Sequence, residues 1–509
     1  ESSKHRLQID AVHEQYYSKY NYLSASSEGF FSDNTLYHEL SLGSIQRITN
    51  NSNDQSLQSF LGRINYAFDG KYLLTASVRA DGSSKFRDGN KWGVFPSGSL
   101  AWRISEESFL EQSEIVNDLK LRTSYGITGN QGIDALATHS PAVVSPDFNY
   151  PFTGSTATIG VAPSNRLANP DLTWEETAQF NIGLDAGLWQ SRLTLSADYY
   201  IKRTTNLLLN RLLPSFVGPT VVTENVGEME NKGFGVSIGI IPVETPGWDI
   251  SSNITISRNV NKVISLVTDE PIIPGETYGD VLPVWIEAGK SLGTFRGLLF
   301  EGVYQLGEEV EAAEYGRVPG QAKYADLNDD GIISEDDMTD IGNGNPDIIF
   351  GWNTDIRWKN LSLNLLFTGT TGNEIYNIQR AKMMNLGSLV FHASHADYKD
   401  RWTPENPSNI PSSRDNTEIL STQFIEDGSH LMLKNISISY SFSENPLFDK
   451  LGLNELKLYT SIENAFVLTK YTGYDPEATA TGDRDIQVGI DYNTFPLART
   501  FKFGIKLNF

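Results

Sequence analysis

The residues with the clearest chemical potential in this 509-residue chain are Asp326-Leu-Asn-Asp-Asp-Gly-Ile-Ile-Ser-Glu-Asp-Asp337. Oxygen ligands fall at the first, third and fifth positions (Asp326, Asn328, Asp330), with a glycine at the sixth, Gly331, where the backbone must turn sharply. The Ile332 carbonyl follows, Ser334 could hold a water, and Asp337 closes the set. This spacing wraps six or seven oxygens around one point, as Ca²⁺ requires, with Mg²⁺ the lesser alternative. Asp rather than Glu at the last position weakens such a site, and no flanking helices are evident. A solvated acidic loop is the competing reading. Other candidates carry less. Gly235-Val-Ser-Ile-Gly239 has the outline of a nucleophile elbow, but Phe234, Val236, Ile238 and Ile240 continue a strand alternation, where an elbow needs a strand-to-helix turn. His392 and His395 near Asp397 read as surface residues, and the adjacent pairs Glu106-Glu107, Glu175-Glu176 and Glu308-Glu309 would point to opposite faces of a strand. No catalytic centre is expected. Tyr150, Phe152, Tyr398 and Trp402 could stack on sugars or simply pack.

The elements that would position these residues are strands. At the C-terminus, Phe501, Phe503, Ile505, Leu507 and Phe509 fall on one face of an extended chain, and Lys502, Gly504, Lys506 and Asn508 fall on the other. A strand greasy on one face and polar on the other suits a transmembrane β-barrel, with lipid outside and a wet lumen within. No apolar run approaches the ~20 residues of a membrane helix. Any spanning must therefore be done by strands. The chain has no cysteine, which excludes disulfides and thiolate metal sites and is compatible with a periplasmic or surface setting. Its net charge of −23 disfavours nucleic acid. Beginning at Glu1 without an initiating Met or leader, it reads as a mature or truncated product.

Alternation predicts about fifteen strands. Leu7–Leu23, Thr35–Ile48 and Ser56–Phe68 come first; Asp69-Gly70-Lys71 then turns a hairpin into Tyr72–Ala80. The pattern runs on through Gly93–Ile104, Asp118–Thr128, Thr173–Gly187, Ser191–Thr205, Lys232–Pro242, Gly247–Val260, Asp347–Arg357, Leu361–Thr371, His430–Phe442, Glu455–Val467 and Ala498–Phe509. Connections after residues 68, 187, 242 and 357 are short, and those after 128, 205, 260, 371 and 467 are long. Outer-membrane barrels segregate short periplasmic turns from long extracellular loops in this way. The reading places the C-terminus in the periplasm and residues 261–346, which contain the calcium-type loop 326–337, outside. Thr294–Tyr304 is expected to be ordered structure within that loop.

Several motifs then resemble the SusC-like TonB-dependent outer-membrane transporters. They include Ala80-Asp-Gly-Ser-Ser-Lys-Phe86, Lys91-Trp-Gly-Val-Phe-Pro-Ser97, Ala101-Trp-Arg-Ile-Ser105 and Arg122-Thr-Ser-Tyr-Gly-Ile-Thr-Gly-Asn-Gln131. Further along are Asn169-Pro-Asp-Leu-Thr-Trp-Glu175, Asn231-Lys-Gly-Phe234, Arg401-Trp-Thr-Pro-Glu-Asn-Pro407 and Glu426-Asp-Gly-Ser-His-Leu-Met-Leu-Lys-Asn435. The resemblance implies a 22-stranded barrel around a plug, importing oligosaccharides or peptides under a SusD-like surface lipoprotein and driven by TonB. Neither a plug nor a TonB box is visible here, so residues 1–509 are expected to be the C-terminal part of such a barrel.

The expected function is outer-membrane nutrient import. A surface adhesion or scaffold barrel without transport is the alternative, as is a secreted glycan-binding β protein. An odd strand count with a periplasmic C-terminus would put the residues before Leu7 outside and demand at least one earlier strand. Leu7–Leu23 should pair with Thr35–Ile48 on one side, and it and Ala498–Phe509 should each need a further partner.

Overall fold

The computed structural model describes all residues except 1–3, 33, 35–37, 140–141, 151–157, 215, 217, 268–270, 273–282, 385–393, 413–419, 443–452, 480–486 and 509. Fourteen strands form one sheet in which each hydrogen-bonds to the next in sequence. They are β1 (His5–Glu28), β2 (Ile45–Phe68), β3 (Tyr72–Ser83), β4 (Trp92–Arg103), β5 (Val116–Asn130), β6 (Glu175–Leu188) and β7 (Leu193–Thr205), followed by β8 (Glu228–Glu244), β9 (Trp248–Ser265), β10 (Ile348–Trp358), β11 (Leu361–Thr371), β12 (His430–Phe442), β13 (Glu455–Thr469) and β14 (Thr500–Asn508). Every pairing in this sheet is antiparallel. No helix among the described residues is long and apolar enough to cross a membrane.

The register gives the sheet two chemically distinct faces. Leu7, Ile64, Leu74, Leu100 and Leu121 lie on one side, joined across the register by Leu184, Leu195, Ile238, Ile254, Ile356, Leu363, Ile438, Leu458 and Ile505. Phe503 on this face is 80% exposed and Ile505 68%. Nothing among the described residues covers them, as expected of a surface that meets lipid. Tyr72 and Trp102 stack at 6.4 Å near the short turns, and Trp248 and Trp358 at 5.8 Å. Trp92 lies ten residues from Trp102 along β4, roughly 33 Å of extended chain. Strands tilted by ~40° make that an apolar band about 25 Å tall between two aromatic belts.

The connections fall on two sides of the sheet, and the six longest share one side. Asp69 and Gly70, with φ of 53° and 67°, turn the three-residue connection 69–71, and their left-handed backbone matches strand twist. Residues 69–71, 104–115, 189–192, 245–247, 359–360 and 443–454 connect strands on this short side. Residues 29–44, 84–91, 131–174, 206–227, 266–347, 372–429 and 470–499 connect them on the other.

The strand count differs from expectation in one place. Thr35–Ile48 and Ser56–Phe68 are not two strands. Ile45–Phe68 is a single 24-residue strand, paired with β1 at every position from His5↔Phe68 to Glu28↔Ile45. The polar run Asn50-Asn51-Ser52-Asn53 reads as a break, but cross-strand pairing holds it extended, and its side chains stay exposed where no apolar face is required. Residues 35–37 lie outside the described ones, and Leu40–Leu42 is a 3-10 turn. With fourteen strands, both ends of the sheet fall on the short-turn side, and the parity argument for an earlier strand no longer holds. β1 and β14 stand at the two ends of the strand order and do not pair with each other.

The apolar core sits in the long connections. Val284, Phe295 and Ile341 from 266–347, Tyr376 and Phe424 from 372–429, and Ile490 from 470–499 make one cluster. Small sheets join the same segments: Glu374–Asn377 pairs with both Ile425–Asp427 and Ile490–Asp491. Thr294–Gly297 and Phe300–Val303 are strands within 266–347, each paired inside it, as the sequence reading expected. A second cluster gathers Phe86, Phe95, Ile133, Leu172 and Trp174.

Candidate functional site

The side of the sheet opposite the apolar face is polar along almost its whole width, because residues between the lipid-facing positions point there. Asn65, Thr75, Ser77, Ser99, Ser124, Asn181, Ser196, Asn253, Asp355, Asn364 and Ser437 fall on it. Its charges are mostly neutralised in place. Arg79 donates through Nε to both oxygens of Asp81 at 2.7 and 2.9 Å, and through Nη2 to Glu14 at 3.1 Å and Ser59 at 2.8 Å. Arg122 on β5 bridges Asp185 on β6, at 2.9 Å, and Asp198 on β7, at 2.5 Å. Asp185 also accepts from Ser196 at 2.8 Å. Arg357 pairs with Asp249 at 2.6 Å, and Lys502 with Glu463. Two recesses open on this wall. One of about 350 Å³ is lined by Asp249, Ser251, Asp355, Arg357, Asn364 and Ser437, among others. The other, of about 600 Å³, lies between β2 and β6.

None of these arginine clusters was anticipated from sequence. Arg122, Asp185 and Asp198 are separated by 63 and 76 positions and meet only through the strand register. The available signal was their place at polar positions of alternating strands, as in Leu119-Lys-Leu-Arg-Thr-Ser124.

The acidic segment 326–337 folds back on itself. Gly331 turns at φ 80°. Asp326 accepts the N–H groups of Asp330 and Gly331 at 3.2 and 2.8 Å, and Asp330 accepts that of Ile332 at 2.8 Å. Asp337 is fully buried and accepts from Leu327 and Ser334, each at 2.8 Å. Burial opposes its ionisation, but the N–H groups of Ser334, Leu327 and Asn328 outweigh that and hold its pKa below the usual carboxylate range. Asn328 donates its amide to Asp330 at 3.0 Å. The Ile332 side chain is exposed. Among the described residues, no three acidic or histidine side chains converge closely enough to hold a metal ion in this arrangement.

The other candidates are dispersed. Trp402 is 7% exposed and donates its indole N–H to Gln305 at 2.9 Å, so it packs rather than offering a stacking platform. Tyr398 packs against the large loop cluster, with the Arg401 guanidinium 5.0 Å from its ring centre. The Tyr150 side chain, Phe152 and His392 lie outside the described residues. His395 pairs with Asp397 at 3.4 Å. Ser237 of the elbow-like pentapeptide lies within β8, without the sharp turn that chemistry needs. The loop connections are tied down by a different carboxylate. Glu477 of 470–499 faces buried His430 at 3.6 Å and also pairs with Lys434. The His430 imidazole and the Lys434 ammonium hold its pKa down to about 2.

A family model described as TonB dependent receptor-like, beta-barrel, matches residues 3–285. The chain belongs to that family. The sequence of this TonB-dependent receptor-like barrel is 34% identical over 511 residues to TonB-dependent receptor P3 of Formosa agariphila, covering 96% of this chain and 50% of that protein. It is 30% identical over 472 residues to TonB-dependent receptor SusC of Bacteroides thetaiotaomicron, covering 89% of this chain and 44% of SusC. The solved structure of the RagAB peptide transporter superposes with a TM-score of 0.84 at 26% identity, over 99% of this chain and 53% of that one. The chain thus spans about half the length of the relatives it matches.

Proposed function

We propose that this chain forms the C-terminal wall and outer lobe of an outer-membrane nutrient importer. The observation that supports this most is the fourteen-stranded sheet, apolar on one face and polar on the other, with its six longest connections all at one end. A sheet of that kind separates lipid from an aqueous passage. In this reading the short turns and the C-terminus are periplasmic, and the long connections are extracellular. The wall is part of a larger, 22-stranded barrel whose remaining strands and plug come from sequence beyond these 509 residues. Uptake is energised by TonB acting on that plug, and a SusD-like lipoprotein sits on the outer connections. The cargo is an oligosaccharide or a peptide; the likeness to SusC and to the RagAB peptide transporter favours a bulky polymer fragment over a small solute. Deleting the intact gene should abolish growth on the cognate oligomer and restore it on re-expression. Unchanged growth on every polymer the wild type uses would reject the reading. A tagged receptor purified in mild detergent should also recover a lipid-anchored companion, and repeated recovery of the barrel alone would count against the lid.

For segment 326–337 we further propose Ca²⁺ binding through Asp326, Asn328, Asp330, the Ile332 carbonyl and Asp337. The left-handed Gly331 at the sixth position supports it, as does the grouping of these residues in one tight turn. Binding requires the carboxylates to exchange some backbone N–H partners for the ion. Calcium titration should order this loop with a Kd of roughly 10⁻⁴–10⁻³ M. Asp326→Ala should remove that response while leaving the thermal transition of the barrel nearly unchanged. Identical protease sensitivity of 326–337 in calcium and in chelator would eliminate the site.

A further inference from the structure

The recess of about 600 Å³ between β2 and β6 is built differently from the rest of the polar wall. Arg63, Thr75, Ser77, Ser97, Ser99 and Gln179 line it beside the mutually paired Arg79 and Asp81, with Phe95, Leu61 and Ile127 as its apolar part. Its depth depends on a missing side chain: a Cβ at Gly129 would lie 2.0 Å from the Phe95 ring. Such a volume, with an apolar part and several convergent polar groups, is that of an ordinary ligand pocket.

The decisive contrast is among arginines. Arg79 and Arg122 are each held by two carboxylates, so their charge is already used in fixing the wall. Arg63 is exposed, and among the described residues it has no carboxylate or carbonyl partner. Asp10 lies directly across in register, yet it accepts from Gln8 and from Asn65 instead. Arg63 is therefore a cation free to meet a ligand, and a guanidinium binds carboxylate or sulfate through two parallel hydrogen bonds.

The surroundings decide between two kinds of anionic oligomer. One way an extended peptide is bound is by adding a strand to a free sheet edge. This recess lies in mid-sheet, where β2 through β6 are paired on both sides. What it offers is side-chain hydroxyls and one amide, suited to the hydroxyls of a sugar. We propose that this recess is a wall subsite for an acidic oligosaccharide, with Arg63 receiving the carboxylate or sulfate of one sugar unit. The proposal deepens the importer reading and rests on it for the direction of transport only.

The test uses the full-length protein in detergent micelles and calorimetric titration with tetragalacturonate, maltotetraose and tetraglutamate. Tetragalacturonate should bind at least tenfold more tightly than the other two. Arg63→Gln should remove most of that preference, and Arg122→Gln, a variant of a carboxylate-paired arginine outside the recess, should not reproduce a selective loss. Equal binding of the acidic and neutral sugars, preferential binding of tetraglutamate, unchanged binding by Arg63→Gln, or no binding would each overturn the proposal. Failure of the importer reading shows separately, as absent uptake by cells while calorimetric binding persists.

Discussion

At the scale of single residues, charge is used mainly to fasten strands and loops together. Arg122 spans three strands, and its removal would leave Asp185 and Asp198 facing each other about 30% exposed. Because water still reaches them, Arg122→Ala should cost about 1–2 kcal/mol rather than the larger penalty of a fully buried pair. Arg122→Lys should recover only part, since an ammonium cannot reproduce the fork geometry. Urea unfolding from lipid vesicles would measure both, and an Ala variant as stable as wild type would remove the bridge from the account. Glu477 gives a pH dependence whose sign follows from its lowered pKa. Its contribution is complete above the ordinary glutamate value, near 4.5, and disappears as pH falls through about 2. The wild type should therefore lose more thermal stability than Glu477→Gln between pH 4.5 and 2. Parallel curves for the two proteins would rule out this latch. The tight turn of 326–337 was legible because Gly331 and its neighbouring acids are local in sequence. The Arg122 and Glu477 clusters were not, since their partners are brought together by register and by loop packing.

At the scale of elements, alternation was a reliable guide wherever one face must be apolar. The hairpin at Asp69-Gly70, the strand pairs around 188 and 358, and the final strand all follow from it. The method misread the start of β2, because Ile45–Ser56 of β2 and Tyr17–Glu28 of β1 run past the end of β3. The β2–β3 register stops at Leu57↔Ser83. Beyond that point neither lipid nor a third strand imposes a pattern, and the residues obey cross-strand pairing alone. The lipid face itself can be tested on β14. Phe503 lies near its middle and is 80% exposed. Phe503→Lys should destabilise the protein in a bilayer by roughly 2–4 kcal/mol. Lys502→Ala, on the opposite face, should cost far less. A Phe503→Lys variant that folds into vesicles as stably as wild type would contradict the assignment of faces.

At the scale of the whole molecule, the fourteen strands leave β1 and β14 as open ends. Exposed edges recruit other strands. Produced by itself, the 509-residue chain should therefore form edge-paired oligomers in detergent, whereas co-expression with the strands the proposed barrel requires should give a discrete species. A monodisperse isolated chain would mean that the two edges find each other. The overall architecture was legible because lipid and water select side chains strand by strand. The parity was not, because one polar stretch was counted as a break. Where the buried apolar residues lie was not legible either. Val284, Tyr376 and Ile490 come from three connections far apart in sequence, yet they share one interior. With that shared interior, the three connections should be inherited as a set. Replacing any one with the counterpart from a relative would leave the other two packed against a mismatched surface. New binding specificities should thus arise by coordinated change across all three, or by exchange of the whole lobe, and a chimera carrying a single foreign connection should reach the membrane with its outer lobe unfolded.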